Sequence, residues 1–235
     1  MDIKIEPVTK SDEPRVIKFL KEQFYANEPL NVAIQERFKS IPSNLEGETK
    51  YANCVHDNLT NGLCLKAVDG EGHIVGAVIN TCPINGMKVS RVEIQGRQEM
   101  MKVSRVEIQG RQDMMKEIIK FLHHIDELSG EAQFLAKHAS NVMDIKILSV
   151  HRDHQKKSIG SRLIEESIKA AESKNIKAIT IGCSSAYTSA IIQHKFPHFR
   201  RVLTYPISEY TDSVGDVMFK VQDPHKEYHV YFYET

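Results

Sequence analysis

The chain has 235 residues, 41% of them hydrophobic and 26% charged. These are ordinary globular values that exclude disorder and leave room for one large domain or two small ones. Its 31 basic and 31 acidic residues give a formal charge of zero, whereas a broad nucleic-acid-binding face would carry a basic surplus, so no nucleic acid is expected as a partner.

Ile3, Ile5 and Val8 predict a short opening strand. Thr9-Lys10-Ser11-Asp12-Glu13-Pro14 is a helix-start cluster, after which Val16, Ile17, Leu20 and Phe24 recur at helical spacing. Asn27-Glu28-Pro29-Leu30-Asn31 breaks that helix, because Pro29 biases Glu28 away from helical dihedrals, and a second short helix is expected from Asn31 to Lys39. Ile41 to Asn61 reads as a polar loop. Leu63 to Val68 and His73 to Ile79 predict two strands joined by an Asp-Gly hairpin turn at Asp69-Gly70-Glu71-Gly72. Ile118, Ile119, Leu122, Ile125 and Leu128 mark an amphipathic helix over residues 115–128. Ile145 to Val150 predicts a strand, Leu163, Ile164, Ile168 and Ala171 a helix, and Ala178 to Ile181 a buried strand. A helix from Ala186 to Lys195 and edge strands at Arg201 to Tyr205 and His229 to Tyr233 complete the chain. The alternating second half argues a mixed α/β sheet, and residues 1–235 are expected to form one domain.

Residues Met87 to Met100 are followed at once by the same 14 residues, Met101 to Met114, with Asp113 in place of Glu99. Solenoids need longer periods and at least three copies. Fourteen residues make about 3.9 helical turns, so a duplication inside a helix would keep its buried face. The 87–114 pair reads as a local tandem duplication, one copy of which is expected to be carried as a surface insertion.

The four cysteines, Cys54, Cys64, Cys82 and Cys183, are too few and too scattered for a disulfide scaffold. The start shows no signal-peptide core, and the longest apolar runs fall far short of the roughly 18 residues that span a bilayer. We expect a cytoplasmic protein with no membrane partner. His123-His124, His151 and His154 lack partners at zinc-site spacing, so no metal is expected.

The most informative stretch runs from Leu148-Ser149-Val150 through Gln155-Lys156-Lys157-Ser158-Ile159-Gly160-Ser161 into a helix. Free N–H groups at a helix start converge on one point, the helix dipole favours negative charge there, and Gly160 lets an anion approach the backbone. The arrangement is an anion cradle; a plain strand-to-helix turn with solvated lysines is the alternative.

Gln155 to Gly160 resembles the Q/R-x-x-G-x-G/A signature of the GNAT acetyltransferase superfamily, with Ser158 where the family has its first glycine. A serine is expected to fit there if its backbone keeps a negative φ. Asn27-Glu28-Pro29-Leu30-Asn31 is similar to the D-E-P-L-N segment of insect arylalkylamine N-acetyltransferases. Cys183-Ser184-Ser185-Ala186-Tyr187-Thr188-Ser189-Ala190 is similar to that group's C-S-S-x-Y-S-A stretch. The resemblance spreads from about Lys4 to Tyr231 and implies an α/β GNAT fold, a twisted mixed sheet of about seven strands with helices on both faces.

The resemblance implies acetyl-CoA as cosubstrate. Its diphosphate would lie on Gln155, Lys156, Lys157, Ser158, Ile159, Gly160 and Ser161, and its pantetheine arm along Leu148, Ser149 and Val150, in an opening between the strands ending at Val150 and Cys183. It assigns Glu28 as general base toward a small primary amine; without it, Glu28 reads as a solvated loop acid. Ser184 and Thr188 map onto two active-site serines, although ordinary N-capping also accounts for Ser184. The last helix has no tyrosine to serve as general acid, and His194 reads as a surface histidine. Direct attack in a ternary complex is expected, since no cysteine has an evident activating base. An arylalkylamine such as dopamine, serotonin or tyramine is the expected substrate. A polyamine, histamine or hydrazine is the alternative within the enzyme reading, and an idle acyl-CoA-binding protein the alternative outside it. A monomer is expected.

Overall fold

The computed structural model describes residues 2–38, 58–82, 105–138 and 141–234, with the backbone alone described over 105–113. The chain opens with β1 (Lys4–Pro7) and α1 (Glu13–Leu20), runs through a π-helical turn (Lys21–Tyr25), and continues into α2 (Pro29–Arg37). Strands β2 (Leu65–Val68) and β3 (Ile74–Thr81) form a hairpin, followed by α3 (Arg105–Ser129) and α4 (Glu131–Lys137). Then come β4 (Val142–Val150), α5 (Ile159–Ser173), β5 (Ala178–Cys183), α6 (Ala186–Lys195), β6 (Arg200–Pro206) and β7 (Glu227–Glu234). The strands make one seven-stranded sheet in the order β1-β2-β3-β4-β5-β7-β6, antiparallel except for β4 and β5.

Local chemistry explains most element boundaries. At the start of α1 the Asp12 carboxylate accepts from the Thr9 amide (3.0 Å) and hydroxyl (2.5 Å), and its ion pair with Lys66 (2.5 Å) ties that helix end to β2. Burial pushes Asp12 up, but the Lys66 and Thr9 hydrogen bonds outweigh it and hold the carboxyl down at about 2. Helix α2 begins two residues before the expected Asn31: Pro29 occupies its first turn, where the missing N–H costs nothing, and Glu28 is the N-cap. Helix α3 reaches back to Arg105, so part of the second copy of the duplication is helical, continuous with the buried stripe Met114, Ile118, Phe121 and Ile125. Residues 87–104 of the duplication, one copy of which is expected as a surface insertion, lie outside the described residues, as does most of the 41–61 loop.

Strand β7 is not an edge strand as expected: it threads between β5 and β6, and Tyr228 to Phe232 are all buried. A strand covered on both faces loses the polar alternation that marks an edge. Helices α5 and α6 cover one face of the sheet, packing Ile159, Leu163 and Ile192 on Val78, Ile145 and Ile181. Helices α1, α2 and α3 cover the other. There Val16 and Leu20 meet Ile79 and Ile147, while Leu30, Ile34 and Phe121 meet Val142, Tyr228 and Phe232.

One departure from regular pairing positions the site. Between β3 and β4 the register passes from Ile79↔Ile147 to Asn80↔Ile145, leaving Lys146 as an extra residue on β4. Such a bulge bends its strand and increases the local twist. Beyond it the parallel neighbours part: β4 pairs with β5 only through Val142↔Ala178, Met143↔Ile179 and Asp144↔Thr180. The carboxyl-terminal halves of the two strands diverge and leave a gap in the sheet.

Candidate active site

A cleft of about 900 Å³ opens at that gap. Its walls come from both diverging strands, the start of α5, the outer face of α6, the middle of α3, and the π turn with the loop that follows it. The π turn presents Gln23, Phe24 and Tyr25, three consecutive residues, to the cleft.

One end is the anion cradle. By helix geometry the amides of Ser158 to Ser161 have no carbonyl in a preceding turn; the Arg162 amide is the first to find one, on Ser158 (3.1 Å). Lys156 and Ser158 both take left-handed backbone, with φ of 61° and 59°. Alternating backbone of this kind folds successive N–H groups around a concavity suited to an anion. The expected negative φ at Ser158 is therefore corrected: the chain adopts the glycine-type conformation with a serine. Gln155, Lys156, Ser158, Ile159, Gly160 and Ser161 line the cleft together with Leu148, Ser149 and Val150. Lys157 does not, and its Nζ donates instead to the Asp153 carbonyl (3.0 Å). A Cβ on Gly160 would stand 3.3 Å from Ile191 Cδ1 and 3.7 Å from Leu148 Cδ2, so that glycine serves close packing of α5 on α6 and β4. Free amides, a helix start and Lys156 together fit a diphosphate, and the gap between β4 and β5 fits an extended arm leading away from it.

The other end is built around Glu28. As N-cap of α2 it accepts from the Asn31 amide on Oε2 (2.8 Å), and Ser184 Oγ donates to its Oε1 (2.5 Å). Burial raises the Glu28 carboxyl above its ordinary value, and the hydrogen bonds from Ser184 and from the Asn31 and Leu30 amides only partly offset it. Ser184 lies just before the N-cap of α6, which is Ser185, so it is free to reach across the cleft rather than cap the helix. Thr188, in the first turn of α6, also lines the cleft. Sequence reasoning thus brought Glu28, Ser184 and Thr188 to one cavity with the cradle residues.

Among the cleft residues it missed are His225 and Tyr228. His225 Nδ1 accepts from the Ala186 amide (3.1 Å), so the neutral ring carries its proton on Nε2, and its edge meets the exposed Tyr187 ring at 5.2 Å. Burial lowers its affinity for a second proton. Tyr228 enters the cleft from β7 by crossing β5 at Gly182, where a Cβ would stand 2.3 Å from its hydroxyl oxygen. Its ring is held by Phe121 at 5.5 Å. No local motif marks either residue; both depend on where β7 returns.

Cys183 lines the cleft, but burial pushes its thiol well above the ordinary range, which suits packing rather than nucleophilic attack. His194 lines the cleft as an exposed residue of α6. Among the described residues no group of three or more His, Cys, Asp or Glu side chains could hold a metal ion, and no helix is long and apolar enough to cross a membrane.

A family model described as the acetyltransferase (GNAT) family matches residues 32–195. The fold is similar to that of arylalkylamine N-acetyltransferase 2 from Aedes aegypti, at 20% identity and a TM-score of 0.78 over 100% of this chain and 99% of that one. It is also similar to an agmatine N-acetyltransferase, at 18% identity and a TM-score of 0.73 over 100% of both chains. The Drosophila melanogaster polyamine N-acetyltransferase that forms N-acetylagmatine matches at 17% identity and a TM-score of 0.68, again over 100% of both chains.

Proposed function

The chain belongs to the acetyltransferase (GNAT) family, and on that premise we propose that it transfers the acetyl group of acetyl-CoA to the nitrogen of a small primary amine of arylalkylamine type, with Glu28 as general base. Enzymes of this family use acetyl-CoA, which supplies an acetyl thioester. The amides of Ser158 to Ser161 and Lys156 would hold its diphosphate, and Leu148 to Val150 would receive the arm on the strand edge that β5 leaves unpaired.

The observation that carries the reading is the Glu28 carboxylate, which stands in the wall of the same cleft as the anion cradle, bound by Ser184 across the gap. An alkylamine at neutral pH is an ammonium ion and cannot attack a carbonyl until it loses a proton. A carboxylate whose proton affinity is raised by burial is a better acceptor for that proton than a solvated one, and its charge attracts the cation first. Holding amine and thioester in one cleft removes the translational entropy of their meeting.

The walls argue the class of amine. Glu28 is the sole acidic residue among the described residues lining the cleft, whereas Tyr25, Tyr187, Tyr228, Met115, Ile118 and Leu122 supply aromatic and aliphatic surface. One carboxylate in an apolar pocket suits a single ammonium on an aromatic body better than a polyamine.

The test is thiol release from acetyl-CoA with a panel of amines: phenylethylamine, tyramine, dopamine and serotonin against histamine, putrescine and spermidine. Preference for the aromatic set supports the reading. Preference for the polyamines overturns the substrate class, and binding of acetyl-CoA with no amine turned over leaves an acyl-CoA-binding protein.

A further inference from the structure

The acetylation reading leaves one polar side chain beside Glu28 without a role. Asn31 is the third residue of α2, and its main-chain N–H donates to the Glu28 carboxylate (2.8 Å). At many helix starts the side chain in this position reaches back to the N–H of the cap residue. Here that N–H is already taken, because Glu28 donates it to the Phe24 carbonyl of the π turn (2.8 Å). The Asn31 carboxamide has no cap to serve, and among the described residues it makes no hydrogen bond. Asn31 is only 5% exposed, yet it lines the cleft, and neither polar atom of its side chain is sealed from solvent. Helical side chains lean toward the N-terminus of their helix, so the carboxamide leans toward Glu28. An apolar residue would fill this place without leaving a buried amide unpaired. The carboxamide is therefore set to meet what enters the cleft at the Glu28 end.

We propose that the Asn31 carboxamide oxygen is the second acceptor for the reacting nitrogen, standing with Glu28 to select primary amines. This rests on the amine-acetylating reading of the cleft and adds a specificity-determining residue to it. With no partner to fix its rotation, the carboxamide can turn its oxygen to the substrate. Once Glu28 has taken the ammonium's proton and passed it to water, a primary amine carries a lone pair and two N–H groups. The lone pair faces the thioester, and the two N–H groups meet two acceptors, Glu28 and Asn31, which hold the nitrogen for attack. Attack forms the N–C bond; as the C–S bond breaks, the nitrogen sheds one proton and the CoA sulfur takes one up. N-Methylation removes one of the two N–H groups and leaves an acceptor unpaired, the kind of loss by which hydrogen-bonding sites reject an analogue.

The experiment compares kcat/KM for phenylethylamine and N-methylphenylethylamine in the wild-type protein, Asn31→Leu and Asn31→Asp. Leucine keeps the branched shape of asparagine without its polar atoms, and aspartate keeps an acceptor oxygen. The primary-to-N-methyl ratio should fall about tenfold in Asn31→Leu, the worth of one hydrogen bond, and be retained in Asn31→Asp. An unchanged ratio in Asn31→Leu overturns the proposal, and equal kcat/KM for the two amines in the wild type overturns it without any variant. Because Asn31 is buried, calorimetry in the presence of CoA stands beside the kinetics. Phenylethylamine should bind Asn31→Leu about tenfold more weakly than the wild type. Phenethyltrimethylammonium has the same charge but no N–H to donate, and it should bind the two proteins alike. Equal losses for both ligands would mean a distorted pocket and count against Asn31. If the wild type turns over no amine the acetylation reading fails, while the paired binding comparison still decides whether Asn31 accepts from the ammonium.

Discussion

The Ser184 hydroxyl donates to Glu28 Oε1 across 156 residues of chain and across the cleft itself. A hydrogen bond to the charged form of a carboxylate lowers its pKa, so Ser184 works against the burial that raises Glu28. A general base acts deprotonated, and activity should rise with pH through its pKa. Ser184→Ala removes the opposing bond and should move the acidic limb of the pH–rate profile to higher pH. Glu28→Gln should lose about 100-fold or more in turnover at neutral pH, with the loss shrinking toward alkaline pH as more of the amine arrives unprotonated. Profiles of kcat/KM against pH for the three proteins check both; a limb that stays in place in Ser184→Ala would remove Glu28 from its role.

Ser158 carries left-handed backbone at φ 59° ahead of α5. That conformation costs a residue with a Cβ about 1–2 kcal/mol, while a glycine adds back about 0.5–1 kcal/mol of chain entropy. Ser158→Gly should therefore be neutral to stabilising, raising Tm by roughly 0–6 °C for a chain of this size, and should hold or tighten CoA. Ser158→Val, whose branched Cβ tolerates φ > 0 least, should lower Tm and weaken CoA together. Thermal scans with and without CoA give both readings, and a Val variant indistinguishable from wild type would mean that the turn relaxes freely.

Tyr228 reaches the cleft only because residue 182 has no side chain. In Gly182→Ala the new methyl would lie 2.3 Å from the tyrosine oxygen and 3.0 Å from its Cζ, so the ring must leave its contact with Phe121. Overpacking of this kind costs about 1–3 kcal/mol. Tyr228→Phe deletes the closest atom, so the alanine should cost less in that background, a coupling of about 1 kcal/mol in a double-mutant cycle. Denaturant unfolding of the four proteins measures it, and additive effects would contradict the crossing.

What the sequence reveals and what it hides divide along physical lines. Glu28 is legible because Pro29 after it and the amide of Asn31 beyond it are local: a proline in the first turn of a helix leaves the preceding residue as the cap. The cradle is legible for the same reason, since a helix start needs only its own neighbours. The φ of Ser158 is hidden because a serine carries no mark of the left-handed region. Lys146 is hidden because the bulge is a mismatch between two strands about 65 residues apart, and Ile145 and Ile147 still read as regular alternation. His225 and Tyr228 depend on β7 entering the sheet between β5 and β6, a long-range pairing that no local pattern encodes.

Glu28 also bears on stability, in the direction opposite to its proposed use. Its folded pKa is raised, so between the unfolded value, about 4.3 for a free glutamate, and that raised value the native state keeps a proton that the unfolded chain has shed. Stability then falls as pH rises through that window, and the whole penalty stands above it. Glutamine keeps its one oxygen for the Asn31 amide and turns its NH2 to Ser184 Oγ, which as a hydroxyl can accept, and it carries no charge to bury. Glu28→Gln should therefore melt above the wild type at pH 8, with the difference vanishing near pH 3, below the unfolded value of about 4.3, where the wild-type carboxyl is protonated in both states. Scanning calorimetry at the two pH values tests it: a variant no more stable at pH 8 would show that water solvates the carboxylate, and the raised proton affinity invoked for catalysis would go with it.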